Sequence, residues 1–484
     1  MAAKVYKPAA EVNLGPDSDE FYISPNVKAP RVAGLLVKIF VWILEMPIIG
    51  SMVLYILKKD NLINKLVQDA EIPEPPLFTS THSWEDIPEQ NVCLTKPDLS
   101  PPERVQEAVS CLPASLESTL AGSPPSSPKR WTIRDFNRAY SSGEVTPVQV
   151  AKRFLAAVKE CSGPGLNMAF FISYSPEDII RQAEESTLRY QRGTPLSAMD
   201  GILVAVKDEI DCLPYPTTGS VRMPAALCGV VGFKPTAGRL SNAGVLPLNW
   251  TVGMPGILAG TVEDAAVAYS AIVDQSQPSY LRPELNLPLL KSSLSIKNIK
   301  LAKYAKWFND SSEDIRSCCD KSLQMLHAHY GWETLDVTIP EIEEMRLAHY
   351  VTIGSECTAS LAKYLDKLKR SEIGWDVRVA LGVYGSFSSR AYLNSQRLRN
   401  RQMYFHKEIF KTADVIVSPM TGVTAYKLQD DALKSGELDY INGAALVRYS
   451  IAGNFLGLPA ITVMEACKKH YKKPEVFYDL LKKD

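Results

Sequence analysis

Beyond residue 130 the chain alternates well-capped helix starts with short apolar runs, and that alternation leaves few folds open to it. Thr146-Pro147-Val148-Gln149 and Ser175-Pro176-Glu177-Asp178 each place a capping hydroxyl before a proline, with an acceptor at the third helical position. Helices therefore begin at Pro147 and Pro176, and the second is expected to end at Gly193. Between such helices lie residues 202–206, 299–303 and 413–417, which have the length and composition of buried strands. Strand and helix in alternation imply an α/β body. The chain has no internal repeat.

At 484 residues and 46% hydrophobic content the chain can bury one large core or two ordinary ones. Its 53 basic and 54 acidic residues nearly cancel, so no global field attracts nucleic acid, and a partner must be recognised locally. The nine cysteines form no C-x-x-C pair and no His/Cys cluster at metal-ligand spacing, a usage that suits reduced thiols facing the cytosol. The first 31 residues are polar and of mixed charge, which argues against a secretory signal.

Residues 32–57 are strongly apolar and numerous enough to span a bilayer, yet they contain Lys38, Glu45 and Pro47. Lys38 and Glu45 stand seven residues apart and share one helical stripe, while apolar residues cover the rest. This reads as a helix in a membrane interface, kinked or ended at Pro47, with a second apolar piece closing on Lys58-Lys59, which suit anionic head groups. A buried helical hairpin at a subunit interface accounts for the same pattern. Residues 71–130 hold eleven of the 33 prolines and are expected to be extended and wrapping, not helical. The division that follows is an N-terminal tail with membrane or dimer helices over 1–70, a Pro-rich wrapping segment over 71–130, an α/β body over 131–464 and a tail over 465–484.

Two places can carry chemistry. Lys207 ends the apolar run ILVAV; it is either a solvated strand-end lysine or, at the mouth of a buried sheet, an amine whose pKa falls until it accepts a proton near neutrality. Ser220 follows a glycine and opens a run of small residues; it either caps a helix starting at Val221 or sits where backbone amides can face a developing oxyanion.

The string GSVRMPAALCGVVGFKPTAGRLS, together with VAVKDEID, resembles the paired motifs of the amidase signature family. TVEDAAVAYSAI, ADVIVSPMTGVTA and AGNFLGLPAITV extend the resemblance over most of residues 130–464. LKKDNLINKL, IPEPPLF, KYAKWFND and IPEIEEMRLAH are similar to the plant fatty acid amide hydrolase branch of that family. The resemblance implies an α/β fold with a mixed β-sheet core covered by helices, preceded by N-terminal membrane-associated helices. It implies Ser220 as nucleophile, Lys207 as base, oxyanion-binding amides at Thr217, Thr218 and Gly219, and supporting roles for Asp208 and Arg222. No metal or organic cofactor is implied. The substrates would be fatty acid amides such as N-acylethanolamines. The chain would be a homodimer held at the endoplasmic reticulum or plasma membrane through residues 32–57, its catalytic part facing the cytosol.

The family also uses a relay serine in a Gly/Ser-rich segment between the lysine and the nucleophile, and that segment is missing, because only 12 residues separate Lys207 from Ser220. A second omission follows Val463, where the family's P-V-G and G-L-P-x-G-L-Q are replaced by MEACKKHYKKPEVFYDLL. A serine hydroxyl is a poor nucleophile without a base in reach. A membrane-associated isoform without catalysis, acting through subunit pairing, is therefore the rival expectation.

Overall fold

The computed structural model describes residues 3–29, 31–77, 92–94, 99–112, 131–168, 171, 173–206, 221–246, 248–273, 286–288, 298–429, 432, 436–463 and 479–481. In chain order the helices are α1 (Leu35–Glu45), α2 (Pro47–Asp60), α3 (Pro101–Cys111), α4 (Ile133–Ser141), α5 (Pro147–Cys161), α6 (Pro176–Gln191), α7 (Arg222–Cys228) and α8 (Val262–Ile272). They continue with α9 (Ala305–Phe308), α10 (Glu313–Tyr330), α11 (Ile342–Leu365), α12 (Trp375–Tyr384), α13 (Ser389–Phe410), α14 (Tyr440–Val447) and α15 (Ile451–Phe455). The strands are β1 (Val32–Ala33), β2 (Val92–Leu94), β3 (Val231–Lys234), β4 (Ile257–Ala259), β5 (Asn286–Pro288), β6 (Lys300–Lys303), β7 (Glu333–Asp336), β8 (Val415–Val417), β9 (Glu437–Leu438) and β10 (Ala460–Thr462).

The fold is α/β with mixed sheets, as the alternation implies. Among the described residues the strands form a parallel sheet β7-β6-β8 and an antiparallel sheet β10-β3-β4, with two-stranded pairs β1-β9 and β2-β5. α10 makes the crossover that parallel pairing of β6 with β7 requires. The caps sit where the spacing puts them: Thr146 and Ser175 accept from the backbone N–H groups of Gln149 and Asp178, and Gly193 stops α6 with φ at 71°.

Three expectations need correction. Residues 202–206 form no strand: no neighbouring strand pairs with them, and Val204 is 68% exposed, so a β-type composition without a partner stays extended coil. Residues 101–111, expected to be extended, form α3. Pro101 and Pro102 occupy the first helical turn, where the missing N–H costs nothing, and Ser100 and Glu103 close a capping box. Arg104 is buried there and donates to the carbonyls of Ser270 and Ala271 at the end of α8. Among the described cysteines, Cys111, Cys161, Cys228, Cys319 and Cys357 stand outside any disulfide, but Cys318 is disulfide-bonded.

Pro47 separates α1 from α2 by excluding helical geometry at Met46, and the helices meet at 107°. Gly50 permits the tight corner, since a Cβ there would lie 2.1 Å from the Leu44 carbonyl oxygen. Val37 and Val41 pack against Val379 and Leu438, which stabilises the docked helix by about 1.5–3 kcal/mol per side chain. The Lys38/Glu45 stripe faces the protein. Glu45 takes a two-pronged contact from Arg378 at 2.9 and 2.6 Å, and Lys38 lies 5.7 Å from the Trp375 ring centre. Leu35, Leu36, Ile39, Trp42, Ile48 and Met52 are left on the outside.

The largest core surrounds α11 and α13. α13 is polar in sequence yet buried on most sides, because Asn394, Arg399, Arg401 and Gln402 reach partners in other segments. Arg401 grips Glu341 with two 2.7 Å hydrogen bonds, reaches Glu74 at 3.2 Å and donates to the Lys7 carbonyl. Asn394 donates to the carbonyls of Val67, Gln68 and Ala70. Arg399 donates to Thr251 and to the Phe455 carbonyl.

Lys234 ends β3 with its amine buried, donating to the Pro235 carbonyl at 2.8 Å and to the Met254 sulfur at 3.1 Å. Burial, with the nearby positive charge of Arg222, pushes its pKa down to about 7.

Two substitutions test this account of the core. Glu341→Gln, which removes one of the two carboxylates that face the buried Arg401 guanidinium and leaves Glu74 as the other, is expected to cost about 1–3 kcal/mol, read as a lowered unfolding midpoint. Breaking the exposed Arg181 pair with Asp178 and Glu185 by Arg181→Gln is expected to leave that midpoint in place. For Lys234 the folded pKa lies below the unfolded value of 10.5, so the unfolded chain binds the extra proton; the cost is full below pH 7 and is relieved as pH rises. Between pH 7 and 9 stability is expected to rise, and Lys234→Met is expected to lower that slope by one proton's worth, about 1.4 kcal/mol per pH unit. Equal slopes for the two proteins would refute it.

Candidate functional site

Lys207, Asp208, Thr217, Thr218, Gly219 and Ser220 lie outside the described residues; of the expected site residues, Arg222 is described. It opens α7 two positions after Ser220, and the way α7 is fixed sets the exit from the candidate nucleophile. Gly229 ends α7 at φ 64° and turns the chain into β3. Gly232 on β3 lets the helix lie flat on the strand: a Cβ there would stand 2.7 Å from the Ala225 Cβ and 3.1 Å from the Arg222 Cα.

The Arg222 guanidinium is buried and points towards α15. It donates to the Ser450 carbonyl at 3.0 Å and to the Asn454 side-chain oxygen, while the Asn454 amide nitrogen donates to the Val252 carbonyl at 2.9 Å. Gly453 makes room, because a Cβ would sit 2.7 Å from Arg222 Nη1. Burial pushes the Arg222 pKa down to about 10. No described carboxylate contacts Arg222 or Lys234, so the Arg222 guanidinium, two positions along the chain from residue 220, is a buried positive charge, while the Lys234 amine is only partly charged near pH 7.

The loop that Asn454 touches is held from behind. The Glu356 carboxylate accepts from the Thr251 N–H at 3.0 Å, the Thr251 hydroxyl at 2.6 Å and the Tyr392 hydroxyl at 3.1 Å, and Arg399 donates to the Thr251 carbonyl at 2.7 Å. Asn454, Glu356 and Arg399 were not singled out by sequence. Asn454 falls inside the quoted string AGNFLGLPAITV, and that placement is the signal that marks it. Among the described residues no group of three or more His, Cys, Asp or Glu could hold a metal ion.

A family model described as Amidase matches residues 216–472. A fatty acid amide hydrolase of Oryza sativa subsp. indica is 34% identical over 609 aligned positions, which cover 98% of each chain. The fatty acid amide hydrolase of Arabidopsis thaliana is 35% identical and covers 95% of this chain and 91% of that one. The rice alignment is longer than the 484 residues of the chain, so the rice protein has stretches opposite which this chain has none. The family match begins at residue 216 and leaves Lys207 outside it. In fold, the chain is similar to a crystal structure of an amidase, with a TM-score of 0.57 at 17% identity, covering 69% of this chain and 92% of that one. It is also similar to a bacterial aryl acylamidase of the amidase signature enzymes, with a TM-score of 0.55 at 16% identity, covering 69% and 89%. With its α/β fold and a family match that takes in Arg222, Asn454 and the segment between them, the chain belongs to the amidase signature family of hydrolases and shares nearly its whole length with plant fatty acid amide hydrolases.

Proposed function

We propose that the chain is built to cleave long-chain fatty acid amides, N-acylethanolamines among them, to a fatty acid and an amine. Neutral Lys207 takes the Ser220 proton, Ser220 attacks the amide carbonyl, and backbone amides at Thr217, Thr218 and Gly219 receive the oxyanion. The proton held by Lys207 passes to the amide nitrogen as the C–N bond breaks and the amine leaves, and water then hydrolyses the acyl-serine ester to release the fatty acid and restore the Ser220 hydroxyl. Arg222 and Asp208 support the site. The observation that carries this reading is the whole-length similarity to plant fatty acid amide hydrolases, and the fixed exit from residue 220 through Arg222 and Asn454 supports it.

The outward apolar faces of α1 and α2 support membrane association, with the bilayer supplying the lipid substrate at the endoplasmic reticulum or plasma membrane, the catalytic part facing the cytosol, and homodimer formation. No single described helix is long and apolar enough to cross a membrane; the bent pair α1–α2 passes by length and composition only. Contact with the bilayer surface requires no crossing.

A second reading is a membrane-associated isoform without catalysis, acting by pairing with intact subunits. Three observations favour it: the aligned stretches that this chain lacks, the position of Lys207 outside the family match, and the unpaired run 202–206 leading into it. Fatty acid release from a long-chain N-acylethanolamine, measured for the purified chain beside Ser220→Ala and Lys207→Ala, separates the two. Under the first reading each substitution lowers release at least about a thousandfold, to the uncatalysed rate. Absence of release from the folded chain, with co-purification of an intact homologue, would establish the second.

A further inference from the structure

Residues 18–29 form neither helix, strand nor turn, and several of their contacts gather on one carboxylate. Asp310, just past α9, accepts through the same Oδ2 from the Tyr22 hydroxyl at 2.7 Å and from the Ser24 hydroxyl at 2.6 Å. Its Oδ1 pairs with the Arg448 guanidinium at 2.6 Å. The Tyr22 ring stands edge-on to Tyr304 with its centre 5.9 Å away, and the Lys28 N–H donates at 2.8 Å to the Asn61 side-chain oxygen at the end of α2. Ser24 is exposed and precedes Pro25, which biases it towards extended backbone. The other described Ser-Pro and Thr-Pro pairs are committed elsewhere: Ser100, Thr146 and Ser175 cap helices, Ser418 is half-buried just after β8, and Thr194 sits in the turn that ends α6. Charges of both signs surround Ser24. Arg448 offsets Asp310 on one side. On the other, Ser24 lines a cleft with Lys28, Lys59 and Arg346 and with Asp60 and Glu343, and Glu343 takes Arg346 through two 2.7 Å bonds.

We infer that Ser24 is a modification site for a proline-directed protein kinase, and that the phosphate it takes breaks the Ser24–Asp310 bond and frees residues 20–29 from the body of the protein. In the transfer the Ser24 Oγ bonds to the γ-phosphorus of ATP, the bond from that phosphorus to the oxygen it shares with ADP breaks, and the hydroxyl proton passes to the base of the kinase. A segment with so little backbone pairing opens at low free energy, as a kinase groove requires of its substrate. The Ser24 hydroxyl is the donor in its bond to Asp310. Above its second pKa of about 6 a phosphoserine has acceptors only, so that bond does not re-form. Nearly two negative charges then face a carboxylate whose single charge Arg448 already balances, and the Tyr22 hydroxyl depends on the same oxygen that they face. The cleft offers less in return, because Glu343 holds Arg346 and Asp60 opposes Lys28 and Lys59. The inference is independent of the amide cleavage proposed above.

Two measurements on the full chain test the two statements separately. Incubation with ATP and a purified mitogen-activated or cyclin-dependent protein kinase, mapped by mass spectrometry, is expected to place phosphate on Ser24. Hydrogen exchange then reads the release, and a chain translated with phosphoserine in place of Ser24 gives that reading without any kinase. The Lys28 amide of the phosphorylated chain is expected to exchange at least about tenfold faster than that of the unmodified one. In Asp310→Asn the carboxylate is gone while an oxygen able to accept from Tyr22 remains, and there phosphorylation of Ser24 is expected to speed the exchange less than about threefold. Absence of phosphate from Ser24 with both kinases would overturn the site. Exchange that is unchanged by the phosphate would overturn the release, and slower exchange would do the same by giving the phosphate to Lys28 and Lys59. Equal acceleration in Asp310→Asn would overturn the part assigned to that carboxylate.

Discussion

A guanidinium removed from water is tolerated only where acceptors surround it, and two such groups on α13 organise the molecule. Arg401 collects the N-terminal segment at Lys7, the proline-rich stretch at Glu74 and the start of α11 at Glu341. Arg399 collects the 248–256 loop at Thr251 and the end of α15 at Phe455. Each acceptor comes from a different part of the chain, so these two side chains convert sequence-distant segments into one packed unit. The polar face of α13 serves as an internal junction, while α11 supplies the apolar side of the same core.

That junction reaches the candidate site in a few steps. Arg399 holds Thr251 and the Phe455 carbonyl; Asn454, the neighbour of Phe455, accepts from Arg222 and donates to Val252, the neighbour of Thr251. The helix that leaves residue 220 is thus fastened to the same loop and the same short helix that α13 fixes. The nucleophilic role proposed for Ser220 needs the backbone that follows it to be held in place, and the Arg222 contacts hold the helix that begins two positions later.

Sequence disclosed the local features well and the collective ones poorly. The caps at Thr146 and Ser175, the stop at Gly193 and the break at Pro47 are decided within a few residues, and each is found where the spacing puts it. α3 departs from the proline count because Ser100 and Glu103 close a capping box that turns Pro101 and Pro102 into a helix start. Residues 202–206 have a strand's composition, but strand formation depends on a partner edge that no local pattern announces. The family motifs led to Arg222, and its engagement with Asn454 is visible only once residues 228 and 232 positions apart are brought together. Nothing in the sequence singles out Arg399, Arg401 and Asn394, because their burial depends on acceptors more than 50 residues away.

The clamp of Arg378 on Glu45 joins residues 333 positions apart, and this has a consequence for synthesis. Ribosomes add roughly 5–20 residues per second, so α1 and α2 emerge roughly 20–70 s before the helix that receives their polar stripe exists. During that interval the pair presents Val37 and Val41, as well as its outward face, to whatever surrounds the nascent chain. Whichever surface captures the two helices first, a chaperone or a lipid one, does so before the protein can cover them itself, and the order of translation becomes part of how the chain is delivered to its place of action.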